Sequence, residues 1–92
     1  MIKDLEESVK WYQKAADQGN ADAQSMLGCA YALGQGVIKD LVEAHAWANI
    51  AATKGDESRQ KLRDSIEKEM TKEQIAEATK RAKEILATIK KP

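Results

Sequence analysis

The sequence predicts an all-α fold, a short solenoid of antiparallel helix pairs with about five helices, on three observations. The composition favours helix, because the single proline is the last residue, phenylalanine is absent, and alanine, lysine, glutamate and leucine dominate. Part of the chain repeats after 36 residues, a period typical of two-helix repeats. Within each copy, apolar residues recur at the spacing of one helix face.

The internal repeat aligns residues 2–24 with residues 38–60, and ten of those 23 positions are identical. Average residue usage would give about one or two identities by chance. Trp11 and Trp47 are one of the identical pairs, and we expect both to fill the space between successive helix pairs. The repeat therefore predicts stacked units of similar structure.

Polar residues and glycines mark the expected helix ends. Gly19 and Gly55 can adopt the left-handed conformation that ends a helix. Side chains that can cap a helix N-terminus stand before each expected start: Asp4, Asn20, Asp40, Asp56 and Thr71, the last with Gln74 as a capping box. These limits predict helices at Leu5–Gln18, Ala21–Leu33, Leu41–Lys54, Glu57–Glu69 and Lys72–Ile89.

The apolar faces predict how the helices pack. In the second helix the face holds Ala23, Met26, Leu27, Ala30 and Tyr31. Gly28 and the many alanines leave shallow grooves, which allow a neighbouring helix to approach closely. In the fourth helix Leu62, Ile66 and Met70 form a stripe that we expect to meet the stripe of the last helix, formed by Ile75, Ala78, Ala82, Ile85 and Ile89.

Composition excludes several classes of function. Fifteen basic residues balance fifteen acidic ones, whereas a nucleic-acid-binding protein normally carries a basic face. One cysteine cannot form an internal disulfide or a thiolate zinc cluster. No stretch approaches the roughly 18 apolar residues of a membrane span, and residues 1–17 lack the apolar core of a signal peptide. We therefore expect no nucleic acid or membrane as partner, and a cytoplasmic location.

Residues that could carry catalysis are few. His45 is the only imidazole and stands on an expected helix, which favours a structural or surface role. Cys29 has no basic neighbour in sequence that would lower its pKa, so we expect a small apolar residue. The loop from Gly34 to Gly36 follows a helix rather than a strand, which favours turn geometry over a phosphate site. The sequence thus predicts no catalytic, cofactor-binding or metal-binding residues.

The order of residues from Ala23 to Gly55 resembles that of SEL-one-like repeats (SLR), helical units related to tetratricopeptide repeats. Their pattern is A-x-x-x-L-G-x-x-Y-x-x-G-x-G, then D, then A-x-x-W-x-x-A-A-x-x-G. Twelve positions fit it in register: Ala23, Leu27, Gly28, Tyr31, Gly34, Gly36, Asp40, Ala44, Trp47, Ala51, Ala52 and Gly55. The resemblance implies a right-handed α-α superhelix.

The resemblance also implies a division of the single domain, residues 1–92. Residues 1–19 correspond to the second helix of a partial repeat, residues 20–55 to one complete repeat, and residues 56–92 to a terminal repeat helix followed by a C-terminal capping helix. In the terminal helix, polar residues replace the pattern's apolar ones at Arg59, Arg63, Asp64 and Glu67. Such changes suit a final unit that faces water.

The family is associated with assembling protein complexes, so the resemblance implies a non-enzymatic module that binds a protein or peptide. The inner side of such a stack is lined by the first helix of each unit. Positions off the expected core stripe of these helices are the candidate partner surface: Gln24, Ser25, Cys29, Gln60 and Lys61.

Two alternatives remain open at this stage. The first helix lacks its usual partner, so Trp11, Tyr12 and Ala15 could form a homodimer contact, and the chain could be a structural fragment of a longer solenoid. A small hydrolase that uses a glutamate and His45 is a further reading, and it has little support in the sequence.

Overall fold

The structure, a computed structural model, describes residues 2–55 and 57–89. Its elements are α1 (Ile2–Asp17), α2 (Ala21–Leu33), α3 (Leu41–Ala52), α4 (Glu57–Glu67) and α5 (Lys72–Thr88). Only helices occur in these two ranges, which confirms the predicted all-α repeat fold. Helices α2 to α5 begin at the residues predicted from the sequence. For α2, α3 and α5 the start is determined by a capping side chain.

Three capping residues act as predicted. The Oδ1 atoms of Asn20 and Asp40 accept from backbone N–H groups three residues on, at 2.9 and 3.1 Å. Thr71 and Gln74 form the capping box, in which each side chain accepts from the other residue's backbone N–H. The loops between the helices are consequently set by hydrogen bonds within the chain.

Asp4 is not the cap that the sequence predicted. Helix α1 begins at Ile2, so Asp4 lies inside its first turn. There its carboxylate is still favoured, because the N-terminus of a helix carries partial positive charge. The cap expected at Asp56 lies outside the described residues.

The loop after α2 packs against the start of α1. Gly34 ends α2 with a φ of 68°, and its N–H donates to the carbonyl of Ala30. Gly36 has a φ of 79°, and a Cβ at this position would stand 2.7 Å from the carbonyl oxygen of Leu5. Glycine is therefore required at position 36 for two reasons: its backbone has a left-handed conformation, and α1 leaves no room for a Cβ. The predicted role of this loop as a turn is consistent with both features.

Helices α2 and α3 approach each other closely at Gly28. A Cβ on Gly28 would lie 3.2 Å from the carbonyl oxygen of Ala44 and 3.4 Å from the Cβ of Ala48. The short approach results from glycine facing alanine. This contact sets α3 as the central helix, which packs against α2, α4 and α5.

Buried side chains form two clusters on different sides of α3. The larger joins α1, α2, α3 and α5 and consists of Val9, Ala16, Ala23, Leu27, Ala30, Ala46, Trp47, Ile50, Ala82 and Ile85. The smaller lies between α3 and α4 and consists of Ala44, Ala48 and Ile66, with Tyr31, Ala32, Leu41, Leu62 and Met70 packed against it. The core is therefore thin and rich in alanine.

The expected pairing of the α4 and α5 stripes is wrong. Ala82 and Ile85 of α5 belong to the cluster that contains Trp47, whereas Ile66 of α4 belongs to the other cluster. Helix α5 instead packs mainly on α3, whose alanines leave room for it. Helix α5 thus covers the side of α3 that faces away from the smaller cluster.

An ion pair fastens α5 to α3. The guanidinium of Arg81 donates from Nε and Nη2 to the two carboxylate oxygens of Glu43, at 2.7 and 3.3 Å. The hydrogen bond to Glu43 raises the pKa of Arg81. Burial, then the nearby charges of Glu43 and Asp40, raise the pKa of Tyr31, and Arg81 partly opposes this.

The two repeated tryptophans have different surroundings. Trp47 is 3% exposed and fills the larger cluster, as predicted. Trp11 is 69% exposed, so the expectation that it also fills interhelix space is wrong. Most of the Trp11 side chain meets solvent, and none of the described helices covers that flank of α1.

We expect Gly36→Ala to lower the free energy of unfolding by about 2–4 kcal/mol, because strain at positive φ adds to a clash with α1. Gly55→Ala is the matched control, since Gly55 has a φ of 83° and a Cβ added there would meet no atom within 4 Å. It should cost only the conformational part, about 1–2 kcal/mol. Urea denaturation measures both, and equal losses would contradict the close packing at Gly36.

Candidate functional site

Large apolar side chains are exposed mainly in the first part of the chain. Those of Leu5, Trp11, Met26, Leu33 and Ile38 are open to solvent, and Leu86 is the only further case among the described residues. Exposed apolar residues that cluster, unlike scattered ones, mark a contact surface. The candidate site therefore lies around α1, α2 and the loop that follows α2.

A groove of about 110 Å³ runs between α1 and α2. It exists because the two helices meet through small buried residues, Val9 and Ala16 on α1 and Ala23 on α2, while larger side chains flank the contact. The lining is Leu5, Ser8, Val9, Tyr12, Met26, Cys29, Ala30 and Gln35, and we call it the α1–α2 groove. Most of its lining side chains are apolar, and its polar groups are two hydroxyls, one amide and the thiol of Cys29.

A second exposed surface lies on the outer side of α1. Glu7, Lys10, Trp11 and Lys14 line a shallow depression there, which we call the Trp11 face. The Nζ of Lys14 stands 5.5 Å from the centroid of the Trp11 ring, within the range of a cation–π contact. The face thus combines one large aromatic surface with charges of both signs.

Gln24 does not belong to the predicted partner surface. It is 1% exposed, and its Nε2 donates to the carbonyl oxygen of Ala16 at 3.2 Å. The error arose because α2 packs against α1 and α3 at once, so that its buried side is wider than one stripe. Met26 shows the reverse error, since it was placed on the core stripe and is exposed.

Ser25 and Cys29 are half-buried rather than open. The Oγ of Ser25 is buried without a hydrogen-bond partner among the described atoms. Cys29 lines the α1–α2 groove, and burial raises the pKa of its thiol. A raised pKa keeps the sulfur protonated near neutral pH, which makes it a weak nucleophile.

Gln60 and Lys61 are exposed on α4, as a partner surface requires. They do not line the α1–α2 groove or the Trp11 face, so the structure does not bring the five predicted positions together. Leu5, Leu33 and Ile38 are exposed surface residues that were not predicted from the sequence. The sequence does contain a signal for their exposure. All three are apolar residues at or near an expected helix end, where few neighbouring residues are available to cover a side chain.

His45 lies in a buried pair instead of an open site. Its side chain is 2% exposed, and Nε2 is 2.7 Å from the Oε2 of Glu67 on α4. In a neutral imidazole with the proton on Nε2, that nitrogen donates to the carboxylate. Glu67 replaces the tyrosine of the repeat pattern, so this polar change serves a contact between helices rather than water.

Arg59 departs from the expectation of a water-facing position in the same way. Its guanidinium donates to the Oδ1 of Asp22 at 2.6 Å, which links the first turns of α4 and α2. The pair is partly exposed, so its contribution to stability is small, about 0–1 kcal/mol.

Metal-binding clusters and membrane-spanning helices are absent from residues 2–55 and 57–89. That part of the chain holds no group of three or more His, Cys, Asp or Glu side chains arranged to bind a metal ion. In the same ranges no helix has the length and apolar character needed to cross a membrane.

Comparisons with known proteins agree with the repeat pattern. The model of the Sel1 repeat matches residues 1–20 and 21–56. The crystal structure of a protective antigen present in uropathogenic Escherichia coli strains, which displays an SLR fold, is similar with a TM-score of 0.87 and 33% sequence identity. That similarity covers 95% of this chain and 19% of the antigen's chain. No curated protein matches the sequence.

We expect Glu67→Ala to lower the free energy of unfolding by about 1–3 kcal/mol, because the buried Nε2 of His45 would lose its partner. Glu67→Gln should lose less, since its amide oxygen can still accept from Nε2. Glu69→Ala, an exposed position nearby, should change stability by less than about 0.5 kcal/mol. Urea denaturation distinguishes the three, and equal losses for Ala and Gln at residue 67 would contradict a stabilising hydrogen bond.

Proposed function

The chain belongs to the Sel1 repeat family, and from that premise we propose that it is a non-enzymatic module that binds a protein or peptide on its helical surface. Proteins of this family generally act as scaffolds for protein–protein interactions. The proposal keeps the predicted division of the chain, with a partial repeat in residues 1–19, a complete repeat in residues 20–55, and a terminal helix plus cap in residues 56–92.

The uneven distribution of exposed apolar residues is the observation that carries this proposal. Five of the six large exposed apolar side chains of the described residues lie between Leu5 and Ile38. Leu5 and Met26 line the α1–α2 groove, and Leu5 and Ile38 line the surface of the neighbouring loop. A partner that covered these side chains would remove their apolar area from water, which favours association.

The chemistry of the candidate catalytic residues supports a binding role. His45 is enclosed by α3 and α4 and is already paired with Glu67, so a substrate would have to displace α4 to reach it. The thiol of Cys29 has a raised pKa, which opposes nucleophilic catalysis at neutral pH. Neither residue has the exposure and activation that a hydrolase requires.

We expect the chain to capture a protein from a lysate of its source cells. Two variants test which surface binds that protein. Met26→Lys places a charge in the α1–α2 groove, and the double change Gln60→Ala/Lys61→Ala removes the predicted contacts on α4. At least one should weaken capture tenfold or more, equivalent to about 1.4 kcal/mol. Affinity purification with quantitative mass spectrometry is the measurement.

Glu73→Ala, an exposed position on α5, is the control and should capture the partner as the unchanged chain does. If the two surface variants and this control all captured equal amounts, neither surface would be the binding site. A chain that captured nothing specific would contradict the proposed function itself.

Self-association through the Trp11 face is a second candidate function, favoured by the order of charges on α1. Glu7 stands one turn before Trp11 and Lys14 one turn after it. If two copies of α1 packed antiparallel about Trp11, each Glu7 would oppose the Lys14 of the other copy. A two-fold contact requires such self-complementarity.

We expect sedimentation equilibrium to show concentration-dependent dimers that Trp11→Ala removes. Glu7→Lys should also weaken the dimer, because it would place two cations together. The double change Glu7→Lys/Lys14→Glu should restore it, since the antiparallel pair keeps opposite charges in contact. A chain that remained monomeric at concentrations up to about 1 mM would rule out this candidate. A dimer with a Kd of about 1 mM has a free energy of association of only about −4 kcal/mol.

A further inference from the structure

We infer that two copies of this chain exchange α5, so that the terminal helix of each copy packs on α3 of the other. The exchange requires the bend between α4 and α5, residues 68–71, to straighten and to join the two helices into one. This dimer is separate from the proposed function, because α5 lines neither the α1–α2 groove nor the Trp11 face.

The connection between α4 and α5 differs from the other three connections. No glycine or proline occurs from residue 57 to residue 89, and no residue of the bend has a positive φ. A continuous helix over this stretch therefore meets no residue that opposes helical dihedral angles strongly. Each of the other connections contains glycine with a positive φ: Gly19 after α1, Gly34 and Gly36 after α2, and Gly55 after α3.

The bend is already helical over most of its length. The N–H groups of Lys68, Glu69 and Met70 donate to the carbonyls of residues 64, 66 and 67, at 3.3, 3.0 and 3.0 Å. Only then does the backbone become extended, at Thr71, whose ψ is 165°. The change of direction between α4 and α5 thus depends on Thr71 and on its capping box with Gln74.

Straightening replaces the capping box with main-chain hydrogen bonds. If Thr71 adopts helical dihedral angles, the N–H groups of residues 71–74 donate to the carbonyls of residues 67–70. The backbone donors that the box satisfies in the bent form therefore keep acceptors in the straight form. A single helix over residues 57–88 is about 48 Å long, so it carries α5 away from the α3 of its own copy.

Helix α5 is held on α3 by a small contact. Its buried residues are Ala78, Ala82 and Ile85, and Arg81 adds the ion pair with Glu43. Helix α5 packs mainly on α3 and makes little contact with α4, although the two helices are consecutive. Because two alanines and one isoleucine bury little apolar area, α5 can separate from α3 at modest cost.

Separation of α5 uncovers a surface on α3 that a second copy of α5 fits. Trp47 is 3% exposed and belongs to the same buried cluster as Ala82 and Ile85. Without α5, Glu43 would also lose the guanidinium of Arg81. The α5 of a second copy supplies the same side chains, so the exchanged dimer keeps the contacts between α5 and α3. Its cost is confined to the two bends and to the lost independent motion of the chains.

Reciprocal charge changes test the exchange, in whole chains that also carry Trp11→Ala so that the Trp11 face cannot contribute. Glu43→Arg and Arg81→Glu each place like charges between α3 and α5, both within one copy and within a dimer of that variant. In a mixed dimer with exchanged helices, opposite charges meet at both contacts. We expect equimolar mixing to give a mixed dimer at least tenfold more abundant than either single-variant dimer, measured by native mass spectrometry.

Two changes at the bend test its straightening while Glu43 and Arg81 stay in place. Thr71→Ala removes the cap and favours helix at this position, so in sedimentation equilibrium it should raise the dimerisation constant at least about tenfold. Lys72→Pro is the matched control, because proline is tolerated at the first position of α5 but not inside a continuous helix. It should keep the chain monomeric and, when present in both charge variants, abolish their mixed dimer.

Circular dichroism establishes whether the charge variants fold, and the two changes at the bend decide the matter if they do not. Three results would each overturn the inference. The first is that folded charge variants form no mixed dimer. The second is that Lys72→Pro leaves the mixed dimer as abundant as before. The third is that Thr71→Ala leaves the dimerisation constant unchanged.

Discussion

The close contact between α2 and α3 at Gly28 is the constraint on which the rest of this structure depends. Because glycine faces two alanines, the helix axes come near enough for α3 to be enclosed by α2, α4 and α5 together. Each alanine side chain contributes little apolar area. The core therefore gains stability from close packing of the helices rather than from large side chains. The large apolar side chains buried on α2, α3 and α4 are Leu27, Trp47, Ile50 and Ile66.

Polar links surround this small core and determine which helix lies where. Glu43 holds Arg81 of α5, His45 holds Glu67 of α4, and Asp22 holds Arg59 at the start of α4. Each joins α2 or α3 to a later helix. The net stability gained from the buried His45–Glu67 hydrogen bond is small, because desolvation of polar groups offsets much of what the bond contributes, whereas loss of one partner leaves a buried polar atom unsatisfied.

The sequence could predict what local chemistry determines. The caps at Asn20, Asp40 and Thr71 and the left-handed glycines fixed helix starts and ends, and the repeat together with its resemblance predicted the family. It could not predict features that depend on neighbours. Trp11 and Trp47 occupy identical repeat positions, yet only Trp47 is covered, because α5 and α2 are present beside it.

The candidate site was predicted less well for the same reason. Gln24 was predicted to be a surface residue because it lies off the expected core stripe, whereas two flanking helices bury it and its amide N–H donates to the carbonyl of Ala16. Met26 was taken as core because of its spacing, and it lies on the remaining open side of α2. Gln60 is exposed because α4 packs against fewer helices than α2 does.

The His45–Glu67 contact has a consequence for how such a chain can be rearranged. In the preceding pair of helices the equivalent positions hold Val9 and Tyr31, so one junction is polar and the other apolar. If α4 were placed against α1 instead of α3, the carboxylate of Glu67 would face Val9. It would then have no hydrogen-bond donor in a partly buried position, which is unfavourable. The two helix pairs therefore cannot be exchanged. Their order along the chain is determined by which residues meet between them, His45 with Glu67 or Val9 with Tyr31.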